Sequence, residues 1–153
     1  MWKLLLLLIS LGFLSGGCDH GEGDPVHIIV PAGFQGIVQI VVDGTDSGGY
    51  RYTNGRHEYT IPASGILHVR TSEPFHQWHK RTAADTAGNP IHDFDEPAPT
   101  PGSVLVKGFG VRSINNGPPT HGFAIGTNSQ IAQFEKEWDD ARFSTSPPTT
   151  LSS

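Results

Sequence analysis

The stretch VHIIVPAGFQGIVQIVVDGTDSGGYRYTNGRHEYTIPASGILHVR, residues 26–70, decides the fold. Apolar residues alternate along it with a period of two. Val26, Ile28 and Val30 fall on one side of an extended segment; Val38, Ile40 and Val42 do the same on a second, with Gln39 and Asp43 opposite. Asn54-Gly55 is the pair that a two-residue type I′ turn needs, because both central positions take positive φ. Counted outward from that turn, Thr53 faces Arg56, Tyr52 faces His57, Arg51 faces Glu58 and Tyr50 faces Tyr59. Tyr50, Tyr52, His57, Tyr59 and Ile61 then share one side of the hairpin, while the opposite charges of Arg51 and Glu58 share the other.

Outward from this stretch the pattern continues. Pro62 and Gly65 break the chain before a strand at Ile66–Arg70. Lys80 to Ile91 reads as a hairpin around Ala87-Gly88-Asn89, and Asp93 to Gly102 as an acidic, proline-rich surface loop. Ser103–Lys107, extended toward Phe109 and Val111, and Gly122–Gly126 read as two more strands around Asn115–Pro119. Thr127 and Gln130 then form a capping box for a helix to about Phe143, with Ile131, Phe134, Trp138 and Ala141 on one stripe. The expected fold is mainly β: a single β-sandwich-like domain of about seven antiparallel strands with one C-terminal α-helix. With 19 Gly and 12 Pro among 153 residues, a turn-rich sheet protein fits better than a helical bundle.

The N-terminus carries an export signal. Met1-Trp-Lys3 supplies a positive start, Leu4 to Leu14 an apolar run, and Ser15-Gly16-Gly17 the small residues before Cys18. The apolar run is shorter than the roughly 18 residues of a membrane span. Because Cys18 is the only cysteine, no disulfide forms within the chain. The segment resembles a bacterial lipoprotein signal, in which that cysteine is lipidated, although Ser15 stands where that pattern prefers Leu and Leu14 lies one place early. Ordinary signal cleavage would leave a free thiol on an exported protein. The expected organisation is a signal peptide at 1–17, a tether at 18–25, the β domain at 26–143 and a disordered Ser/Thr/Pro tail at 144–153. Loss of Lys3 takes the basic count from 10 to 9 against 15 acidic residues, a balance that disfavours nucleic acid and acidic lipid as partners.

Chemistry-bearing motifs are sparse. Thr45-Asp46-Ser47-Gly48-Gly49 looks like the nucleophile segment of trypsin-like proteases without the preceding glycine, in a chain too short for their double barrel. Lys107-Gly-Phe-Gly-Val111 overlaps half of an RNA-recognition signature but lacks its later stacking aromatics. Among the eight histidines, His76, His79 and His92, with nearby carboxylates, could furnish a transition-metal site. The alternative for these residues is hydrogen-bonded histidines on irregular surface. Tyr50, Tyr52 and Tyr59 would suit a saccharide or protein partner only if exposed; otherwise they line the core.

The motifs Val30-Pro-x-Gly-Phe-x-Gly36 and Tyr59-x-Ile-Pro-x-x-Gly-Ile-Leu67 make the chain similar to an uncharacterised domain family of bacterial exported proteins and lipoproteins. That resemblance implies the cell envelope and no particular activity. A weaker likeness joins the strand pattern to transthyretin-like sandwich modules. The sequence therefore points to a cell-envelope lipoprotein, a non-catalytic binding or structural module without a cofactor. It would be held on a membrane by lipid at Cys18 and meet an envelope protein or glycan. The second expectation is a metal-binding protein or metal-dependent enzyme built on His76, His79 and His92.

Overall fold

The computed structural model describes residues 22–97, 100–113 and 117–141. The expected signal segment, Cys18 and the expected tail lie outside these residues. Within them the chain is mainly β, forming β1 (Gly23–Val30), β2 (Gly36–Val42), β3 (Tyr50–Thr53), β4 (Arg56–Thr60), β5 (Ile66–Val69), β6 (His79–Asp85), β7 (Pro90–Asp93), β8 (Leu105–Ser113) and β9 (Pro119–Gly126). A short 3-10 helix, Glu73–Phe75, precedes β6, and α1 spans Asn128–Asp140. β1 opens at Gly23, so residues 23–25, read above as tether, are strand; Pro25 fits because the register is interrupted between Gly23 and Val26.

The strands follow the order β3-β4-β1-β6-β7-β8-β9-β2-β5. β7 divides its pairing, with Pro90 and Ile91 bonded toward β6 and His92 and Asp93 toward β8. It therefore passes from one leaf of the sandwich to the other. On the far side the segment before β3 draws the edges together: the Ser47 amide donates to the His68 carbonyl at 3.3 Å and the Thr60 amide to the Gly49 carbonyl at 2.7 Å. Gly49 has to be glycine here, since a Cβ would lie 2.4 Å from Leu67 Cδ1 and 2.5 Å from the Thr60 oxygen. The result is a nearly closed, barrel-like sheet.

The hairpin has the register read from Asn54-Gly55: the two residues adopt φ of 51° and 70°, and Tyr50 pairs Tyr59, Arg51 Glu58, Tyr52 His57 and Thr53 Arg56. The antiparallel expectation needs correction elsewhere. β1 lies parallel to both β4 and β6, β2 to β5, and β7 to β8. Period-two patterning states which face a side chain takes but not which strand lies beside it. The acidic, proline-rich loop after β7 is the crossover that a parallel β7–β8 pair requires.

Val26, Ile28, Val30, Val38, Ile40, Tyr59, Ile61, Leu67, Phe123 and Ile125 fill the space between the leaves, each at most 4% exposed. A second apolar layer lies outside β8, β9 and β2, where α1 packs Ile131 and Phe134 against Leu105 and Ala124. β9 seats the helix by presenting only small residues to it. A Cβ on Gly122 would come within 2.5 Å of the Trp138 ring, and one on Gly126 within 3.2 Å of Phe134. The Thr127–Gln130 capping box opens the helix as expected.

Candidate functional site

The site is built where β1 and β6 start and β8 ends. Pro74 is buried and fixes the 3-10 helix over this end of the barrel, which turns Phe75 inward. Phe75 stacks on His121 at 4.1 Å between ring centres, lies 5.3 Å from Tyr59 and meets His79 edge-on at 5.6 Å. β8 bulges between Gly108 and Gly110, and Gly110 takes φ 85°. That departure leaves a cleft of about 300 Å³ whose walls include Phe75, His79, Arg81, Val111 and His121.

Arg81 is fixed by Asp93, whose two oxygens accept from Nε and Nη2 at 2.8 Å each, with Asp95 at 3.6 Å. Gly108 gives the guanidinium its passage, because a Cβ there would lie 2.6 Å from Nη1. His121 is 9% exposed, and among the described residues its Nε2 has no hydrogen-bond partner. Burial, and then the neighbouring charges of His76 and His79, push its pKa down to about 4, so the imidazole is neutral near pH 7. The cleft thus offers an aromatic floor, a fixed guanidinium and neutral imidazole. Among the described residues its walls carry no hydroxyl, thiol, amine or carboxylate.

The residues singled out in the sequence are dispersed. His76 is exposed and its Nε2 lies 2.8 Å from Ser72 Oγ; His79 Nδ1 lies 3.0 Å from the Gln77 carbonyl oxygen; His92 sits half-buried on β7. Continuing the β6–β7 register places His92 opposite Thr82, three residues and about 10 Å along the strand from His79. Among the described residues no group of three or more His, Cys, Asp or Glu is close enough to hold a metal. His76 and His79 instead flank Phe75 together with His121. Sequence reasoning passed over His121, yet alternation back from Ile125 and Phe123 puts it on the inward face.

The tyrosines divide by depth. Tyr59 is fully buried, with burial raising its phenol pKa, so it is unavailable to a partner. Tyr50 is half-buried and reaches His57 Nδ1 at 3.0 Å. Tyr52 is 54% exposed and donates to Asp24 Oδ2 at 2.7 Å. In the protease-like segment, the Ser47 hydroxyl donates to the His68 backbone carbonyl at 3.0 Å, while Asp43 Oδ2 lies 2.6 Å from the His68 ring. The hydroxyl is thus turned to the backbone. Asp43 has its pKa lowered to about 2 by the Thr45 hydroxyl and amide, with His68 adding to them.

No family model matches this chain, and no curated protein matches it. Among solved structures the chain is similar to a crystal structure described as "Putative Lipoprotein from Bacillus anthracis", at 12% identity and a TM-score of 0.47, with 85% of each chain covered.

Proposed function

We propose that this chain is an exported lipoprotein of the bacterial cell envelope, anchored through lipid on Cys18, whose β domain is a non-catalytic binding module working through the cleft beside His121. The observation that carries the reading is the single cysteine set between an export leader and a strand that begins five residues later. Two or three acyl chains on one cysteine hold a protein stably on a bilayer, at about 0.8 kcal/mol per buried methylene. The cleft supports the binding half, since it combines an apolar floor with a few fixed polar groups.

Two experiments test it. Cells fed an alkyne fatty acid should label the wild-type protein in the membrane fraction, and Cys18→Ser should be unlabelled and soluble. Unlabelled wild-type protein in the soluble fraction would remove the anchor. For the module, glycan arrays and pull-downs from envelope extracts compare wild type with Val111→Glu, a change at an exposed cleft position. Retention of the same partner by both proteins would move binding away from the cleft.

A further inference from the structure

We infer that the end of the barrel where β1 begins rests against the bilayer surface, with Trp78 and Tyr52 entering the headgroup layer on either side of the incoming chain. This rests on the Cys18 anchor proposed above. Among the described residues four large hydrophobic side chains are exposed: Trp78 at 73%, Val111 at 57%, Tyr52 at 54% and Ile66 at 36%. Trp78 and Tyr52 gather at one end. The Gly23 amide donates to the Trp78 carbonyl at 2.8 Å, and the Tyr52 hydroxyl donates to Asp24 Oδ2 at 2.7 Å, so both aromatic residues are fastened to the first residues of β1. Val111 belongs to the ligand cleft between β6 and β8 and takes no part in this contact. Ile66 alone lies at the other end, at the start of β5.

The occupant follows from chain length. Cys18 precedes Gly23 by five residues, which span at most about 18 Å when fully extended. A lipid on Cys18 therefore keeps this end, and not the Ile66 end, within reach of the membrane. Trp and Tyr favour the bilayer interface because an apolar ring and a polar tip match its two environments. A short tether also acts as a millimolar-range effective concentration, about what a weak docking contact needs to be occupied. Charge does not drive the contact: Glu22, Asp24 and Glu73 at this end are offset by Arg56, Arg70 and Lys80, so a zwitterionic surface is the partner.

The test uses the lone cysteine. A chain starting at Cys18 lacks Trp2, leaving Trp78 exposed and Trp138 buried, and it couples at one place to maleimide-bearing phosphatidylcholine vesicles. On vesicles made with brominated acyl chains the emission should fall and shift to the blue relative to unbrominated vesicles. Trp78→Phe should abolish the fall, with Trp138 emission confirming that the domain is folded. Equal emission on both vesicles would overturn the inference, and so would quenching that survives in Trp78→Phe. Because the vesicle linkage replaces the natural lipid, a negative result here condemns the docking surface, whereas a negative result in fatty-acid labelling condemns the anchor.

Discussion

Two outer surfaces of the same nearly closed sheet are covered by opposite means. Over β8 and β9 the cover is a helix, and Trp138, 2% exposed, lies flat against Gly122 with the Arg112 guanidinium 3.4 Å from its ring. Arg112 also donates to the Trp138 carbonyl. Over β4 the cover is charge: the Glu58 carboxylate accepts from Arg51 Nε at 2.5 Å and from Arg56 Nε at 2.9 Å. Glu58 has a 2% exposed side chain, yet the arginines above it are 66% and 43% exposed. Few protein atoms surround it; two solvated guanidiniums shield it from water. Lost hydration pushes its pKa up, and the two arginines more than reverse this, leaving it below the usual range. The difference teaches that equal accessibility conceals unequal energy. Ring burial is retained in salt, whereas exposed ion pairs contribute little and are screened.

Urea denaturation separates the two surfaces. Trp138→Ala empties the space between helix and strand and should cost about 3–5 kcal/mol, the largest single loss expected. Gly122→Val attacks the same contact from the strand side, where a side chain must displace the Trp138 ring; about 1–3 kcal/mol is expected, with the cavity-free fold kept. If either change proved neutral, the helix would be an ornament and not a cover.

Acid sharpens the contrast at the barrel end. The His121 pKa is lowered in the fold, so the unfolded chain binds more protons between its ordinary 6.5 and about 4. Stability is therefore fully present above pH 6.5 and falls as pH drops toward 4, by about 3 kcal/mol from this group. His27 and His57 are lowered in the same sense, so His121→Phe should reduce the slope without removing it. An unchanged slope in urea titrations at several pH values would exclude His121 as its source. The smallest effect belongs to the charged surface: Glu58→Gln should cost about 1 kcal/mol in dilute buffer and less in molar salt. Its contribution is lost only as pH falls from 4.5 through its lower folded value, a window separate from that of His121.

Local chemistry made part of this legible beforehand. The Asn54-Gly55 turn dictates every pair of the β3–β4 hairpin, and the Thr127–Gln130 box marks where α1 begins, because both signals act over a few residues. The order of the strands has no such signature. Nothing in Val26–Val30 says that it will lie between β4 and β6, a choice made by how loops of different length return. Glu58 was legible as the partner of Arg51, but Arg56 also shares its face by standing two residues away on one strand. Spacing suggested His76, His79 and His92, whereas His121 reaches that end only through the fold, 42 residues after His79.

The position of β1 has a mechanical consequence. It runs parallel to a partner on each side, bonded to β4 from Val26 to Ile29 and to β6 from Val26 to Val30. Tension applied at the N-terminus meets both ladders along their length, so they must slide together and cannot be peeled one bond at a time. Resistance of that kind is governed by the unfolding barrier rather than by equilibrium stability. A leash fixed to this strand would therefore load it in shear against both neighbours.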